Sequence, residues 1–176
     1  SQIITFSFMH KDGLTNMMLP EGDNRYTAIP ILNPISEEFP YMRTTLVPAV
    51  IEAAKRNIAQ QNKDLWLFET ANVYEPKALP LTEVPHERPM ACGIMMGKVT
   101  EAAWNQAQRD TDFYDVKGVV DGLLAKLGLT QYDIQPSSES YYHPGVSAHY
   151  TVNGVTIANY GELHPQVVKN FDLSGK

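Results

Sequence analysis

The chain has 176 residues, 43% of them hydrophobic and 19% charged, which suits one soluble globular domain able to bury a core of its own. A formal net charge of −6, with no cluster of Lys and Arg, argues against a dedicated nucleic-acid surface. A single cysteine, Cys92, excludes an internal disulfide framework, no apolar run approaches the roughly 20 residues of a membrane span, and no signal-peptide pattern opens the chain, so a reducing cytoplasmic compartment is expected.

The chain starts at Ser1 rather than Met, as expected of an excised domain or of a chain whose tag was removed; Ile4, Phe6 and Phe8 alternate with Thr5 and Ser7, and Ile3 to Met9 reads as a half-buried strand. Turn formers fill Lys11 to Asn24, with Met17-Met18 expected as core fillers. Ala28 to Leu32 is a short strand placed at an edge by Pro30, and Asn33-Pro34 opens a loop to Arg43. Val47, Val50, Ile51, Ala54 and Ile58 recur at helical spacing. Thr44 or Thr45 can cap that helix, Pro48 falls in its first turn, and Asn62 ends it. Leu65 to Tyr74 reads as a strand, Glu75 to Arg88 as an exposed loop and Met90 to Met96 as a buried strand. Phe113, Val116, Val120, Leu123, Leu124 and Leu127 stripe a second helix, capped by Asp112 and stopped by Gly128. Gly118 and Gly122 weaken it and are expected to permit close packing. Tyr132 to Gln135 is a short strand. Asn153-Gly154 joins Ala148–Val152 to Val155–Tyr160 as a hairpin, and His164-Pro165 starts a last short helix through Phe171. Helices inserted among hairpins give an α+β fold, an antiparallel sheet flanked by helices, in a single domain over residues 1–176.

Few residues carry chemistry. No Gly-rich phosphate loop or zinc spacing occurs. His143 and His164 precede prolines and read as turn or helix-start residues, while Glu162 reads as a contact to free N–H groups at a helix start. A hydrolase or metal enzyme built on His143, His164 and Glu162 is the rival reading. Cys92 reads as a structural thiol and Trp104 as a residue packed under a loop, or one at an interface or lid. Arg43, where the long loop enters the strongest helix, is expected to neutralise Glu37 or Glu38 or to clamp a partner chain. Ala49 and Ala53, spaced by four beside Glu52, Lys55 and Arg56, suit close helix packing between chains, so Arg43, Ala49, Glu52, Ala53 and Arg56 form the candidate subunit interface.

Taken in series, these segments resemble one family. Asn33-Pro34-Ile35-Ser36-Glu37-Glu38 with Tyr41 to Pro48 resembles the motif-1-like stretch of bacterial-type phenylalanyl-tRNA synthetase beta subunits. Leu67-Phe68-Glu69 to Tyr74, Asp112-Phe113-Tyr114-Asp115-Val116-Lys117-Gly118, His143-Pro144-Gly145 and Gly161-Glu162-Leu163-His164-Pro165 follow in the family's order. The resemblance implies a class II synthetase-like core module of a larger beta subunit, one that has lost the chemistry held by the alpha subunit. It further implies an alpha2-beta2 heterotetramer that uses ATP, Mg2+, phenylalanine and tRNA, with no cofactor in this module and little direct tRNA contact. The residues agree: the motif-2-like strand Leu65 to Tyr74 has no Arg or Lys to hold a phosphate, and no arginine follows Arg109. A scaffold for the alpha subunit is therefore expected, inactive alone. The alternative is a binding module that keeps a vestigial adenylate or amino-acid pocket.

Overall fold

A computed structural model describes residues 1–99 and 107–173; Trp104 lies outside them. The elements are β1 (Phe8–Met9), α1 (Gly13–Asn16), β2 (Tyr41–Met42), α2 (Val47–Ala59), β3 (Leu65–Glu75), β4 (His86–Met96), α3 (Phe113–Lys126), β5 (Asp133–Gln135), β6 (Tyr142–Val152), β7 (Val155–Leu163) and α4 (Pro165–Asn170). Among the described residues all strand pairs are antiparallel, in three sheets ordered β1-β2, β3-β4 and β5-β6-β7, so the α+β expectation holds. No described helix is long and apolar enough to cross a membrane.

The amphipathic helix α2 sets the first core. Its Val50, Ile51, Ala54 and Ile58 are buried against β3, β4 and the N-terminal loops. Its first turn holds Pro48, whose missing N–H costs nothing there, and Leu46 rather than a threonine occupies the cap position. Met9, Leu14 and Met17 meet Val167 and Phe171 of the C-terminal segment in the same core, while Met18 points outward in a left-handed turn. A separate core lies under α3, where Leu124 packs on Ala148, Tyr150 and Tyr160. The capping box of α3 forms, with the Asp112 side chain accepting from Tyr114 and Asp115 and the Asp115 side chain accepting from the Asp112 N–H. Asn153 and Gly154 have φ of 50° and 77°, the paired positive values of the tight turn joining β6 and β7.

Several expectations are corrected. Only Phe8–Met9 of the first expected strand pairs as a ladder, with β2, inside the segment expected to be loop. Ala28 to Leu32 is reduced to a single bridge, Pro30 to Tyr41. β4 starts at His86 and is not buried: its residues alternate, with Ala91 and Gly93 exposed, because the hairpin is covered on one face alone. Gly118 and Gly122 face open space among the described residues, so no close packing is seen at them there.

Candidate functional site

The N-terminal residues run beside β3, with Gln2 bridged in parallel to Phe68 and the Ile3 N–H donating to the Phe68 carbonyl at 2.8 Å. This register puts Thr5 on the covered side, where its N–H and hydroxyl reach the two Glu69 oxygens at 3.1 and 2.7 Å. Ile4 and Phe6 therefore point outward, 90% and 74% exposed, which inverts the face expected from their alternation. They are continuous with the outward side of the β3-β4 hairpin: Trp66 and Phe68 on β3, 44% and 47% exposed, opposite Met95 and Gly93, with Ala91 and Pro89 beyond. The result is a broad sheet face of apolar and small side chains. Thr70, Asn72 and Gln2 supply its polarity, and no Lys or Arg belongs to it among the described residues.

Behind that face lies Arg43. It does not meet Glu37 or Glu38 and is not a surface residue: it is 3% exposed, and its Nη1 lies 3.2 Å from Oε1 of Glu69, itself 2% exposed. Nη1 also donates to the Thr5 hydroxyl and the Phe6 carbonyl at 3.1 Å each, and Nε donates to the Asn72 carbonyl at 2.9 Å. The backbone joins in, since the Arg43 N–H donates to Ser7 and its carbonyl accepts from Tyr74. A cation pulled this far from water needs such a full set of partners, which is why Arg43 binds the N-terminal segment to β3 rather than a neighbouring chain.

The other four interface candidates divide. Ala53 is buried against Leu65 and Leu67 and is unavailable to a partner, because the small side chains of α2 bring the helix close to β3. Ala49 and Glu52 are half-buried, and Arg56 is exposed. An open recess of about 480 Å3 lies at the end of α2, lined by Asn57, Gln61, Lys63, Asp64 and Trp66.

The remaining candidates occupy structural positions. Asn33 and Pro34 lie in the loop before β2, where Ser36 Oγ accepts from the Glu38 N–H. Lys117 Nζ sits 2.6 Å from Asp121, which also accepts from Tyr150 at 2.6 Å and Tyr132 at 3.3 Å; Tyr160 donates to the Tyr150 hydroxyl at 3.0 Å. Burial alone would raise the Asp121 pKa, yet Lys117 and the Tyr150 hydroxyl outweigh it and hold it below the usual carboxylate range. Burial, then the Asp121 carboxylate, pushes the Tyr150 hydroxyl up to about 12. His143 Nδ1 accepts from Gly145 N–H at 3.2 Å, and His164 Nδ1 accepts from Gln166 N–H at 3.0 Å. His164 is therefore the cap of α4, with Pro165 in the first turn, whereas Glu162 is exposed and makes no such contact. Among the described residues, no three His, Cys, Asp or Glu side chains gather to hold a metal ion. Burial and the nearby Glu69 charge push the half-buried Cys92 thiol up to about 12, which disfavours the thiolate a nucleophile needs.

The family model for the phenylalanyl-tRNA synthetase beta chain CLM domain matches residues 1–176. The chain belongs to this family. It is 37% identical over 174 residues to the phenylalanine–tRNA ligase beta subunit of Geobacter sulfurreducens, covering 98% of this chain and 22% of that protein. With the beta subunit of Symbiobacterium thermophilum it shares 33% over 177 residues, covering 100% of this chain and 20% of that protein. The chain thus spans about a fifth of the length of these curated relatives. Pyrrolysyl-tRNA synthetase from Desulfitobacterium hafniense superposes with a TM-score of 0.67 over 97% of this chain and 56% of that one, at 14% identity, and so shares the class II synthetase fold. Arg43 was visible in the sequence as a residue of interest, but its partner Glu69, 26 positions away, carried no local signal.

Proposed function

We propose that this CLM domain is the non-catalytic assembly module of a phenylalanine–tRNA ligase, and that it presents the sheet face of Ile4, Phe6, Trp66 and Phe68 to the alpha subunit. The observation that carries this is the state of that face: apolar, broad, and left uncovered by the described helices. A sheet face of this kind is stable in water when another layer lies on it. The same face lacks the fixed cations that an adenylate-forming site needs on its phosphates, and the nearby Arg43 is consumed by Glu69. ATP and Mg2+ chemistry accordingly belongs to the alpha subunit of the holoenzyme, and tRNA to the complete assembly. Exposed Arg56 and half-buried Glu52 sit at the margin of this reading, as rim charges at most.

The test is co-expression of the beta subunit carrying this domain with the alpha subunit, read by native mass spectrometry. Phe6→Asp with Phe68→Asp is expected to abolish the mixed complex while the far-ultraviolet circular dichroism of the chain stays unchanged. A complex of undiminished stability in the double variant would overturn the choice of face. ATP–pyrophosphate exchange by the domain alone, above the level of a heat-denatured control, would overturn the non-catalytic reading.

A further inference from the structure

Two of the three apolar cores share side chains: Ile94 and Leu173 pack against both the cluster around Met17 and the cluster around Ala54. The third, under α3, shares no side chain with either among the described residues. β6 and β7 run through both regions, giving Tyr142 and Leu163 to the first and Ala148, Tyr150, Ala158 and Tyr160 to the third. Between the regions their pairing lapses. Tyr142 pairs with Leu163 and Ser147 with Gly161, so four residues, 143–146, lie opposite Glu162 alone. Immediately beyond, the two backbones press together: a Cβ on Gly161 would stand 2.6 Å from Ser147 Cβ and 2.8 Å from the Val146 carbonyl oxygen. A ribbon of two strands bends most easily where its ladder is broken.

The second connection between the regions is a clasp of polar contacts. Lys98 Nζ reaches Asp110 at 2.7 Å, and the Lys98 N–H donates to Asp64 Oδ1 at 2.7 Å. Thr111 donates to the Gly97 carbonyl through its N–H at 2.8 Å and its hydroxyl at 3.0 Å. Arg109 then forks onto both oxygens of Asp115 in the first turn of α3, at 2.6 Å each. Lys98, Arg109 and Asp110 are all well exposed, so salt reaches these pairs. Across the bulge itself, the Tyr142 hydroxyl donates to the Asn159 carbonyl at 3.3 Å, and Arg25 holds Glu139 at 2.8 Å on the first-core side.

From this we infer that α3, β5 and the far halves of β6 and β7 form a rigid lobe that pivots on the 143–146 bulge, with the Lys98–Asp110 and Arg109–Asp115 pairs setting its resting angle. Each lobe keeps its own core through the motion, and the backbone of the bulge absorbs the change. The device lets a partner that competes for Lys98 or Arg109 reorient α3 without unfolding anything.

Hydrogen exchange of the full chain, comparing wild type with Lys98→Ala/Arg109→Ala, tests it. Amides of 142–147 are expected to exchange about fivefold faster in the variant, the size that losing two exposed ion pairs implies, while amides of β3 and of 148–152 keep their rates. About 1 M sodium chloride should reproduce the pattern in the wild type, which removes any doubt about the variant's folding. Unchanged rates at 142–147 under both conditions would overturn the hinge, as would an equal acceleration through 148–152 and α3, which would mean that the lobe melts rather than pivots.

Discussion

Arg43 and Glu69 show how much one buried pair can organise. The guanidinium gathers the Thr5 hydroxyl, two carbonyls and a carboxylate from two segments, the N-terminal residues and β3, and it supplies the cation that the buried Glu69 carboxylate faces. Arg43→Ala is expected to cost about 3–5 kcal/mol in denaturant unfolding, because Glu69 then stays buried with no cation. A role confined to a subunit contact would leave the stability of the isolated chain unchanged. At the start of α3, the Arg109 guanidinium, with the Asp112 backbone, draws the Asp115 pKa down to about 2. A carboxyl depressed in the folded state stabilises it above the unfolded value near 3.8, and that contribution is lost as pH falls toward 2. Acid titration followed by circular dichroism should therefore show α3 loosening between about pH 4 and 2, and Asp115→Asn should flatten that slope. Residues whose partners are local were legible in the sequence: the Asp112 cap, the Asn153-Gly154 turn, Pro48. The partner of Arg43 was not, because its nearest acids in sequence, Glu37 and Glu38, are not its partners in space.

At the scale of elements, alternation in Ile3 to Met9 announced two faces and could not say which one is covered. That choice is made by Thr5, whose hydroxyl serves Glu69, so the polar side goes in and the phenylalanine goes out. The glycines separate in the same way. Gly118 and Gly122 have room for a methyl group and sit in a helix interior, so Gly118→Ala should raise stability by about 0.5–1 kcal/mol. Gly161 has backbone within 3 Å of where a Cβ would stand, and Gly161→Ala should cost about 1–3 kcal/mol by prising β6 from β7. Thermal unfolding of the two variants reads both, and the opposite signs distinguish a tolerated glycine from a required one. From the sequence Gly118 and Gly122 read as weak points of their helix, whereas Gly161 stood out only within its family block.

For the molecule as a whole, the class II architecture was readable because its blocks recur in order along nearly the full chain, whereas the location of the exposed face was not. The sequence pointed to the small residues of α2, yet Ala53 is spent inside, packed on Leu65 and Leu67. An exposed apolar surface lies on the opposite side of β3, together with the N-terminal residues, and α3 shows a further set in Tyr114, Val119, Leu123 and Leu127. A face of this composition is expected to make the isolated chain prone to self-associate.

The first core also joins the two ends of the chain. Leu14 and Met17 pack with Val167 and Phe171, and Asn170 Nδ2 donates to the Asn16 carbonyl across 154 positions. On the ribosome this has a consequence for timing. The region under α3 is built from one stretch, Phe113 to Tyr160, and can close as soon as that stretch has emerged, whereas Met17 waits exposed until nearly the last residue of the domain is made. Leu14 and Met17 therefore receive their C-terminal partners only after the region under α3 has its full sequence.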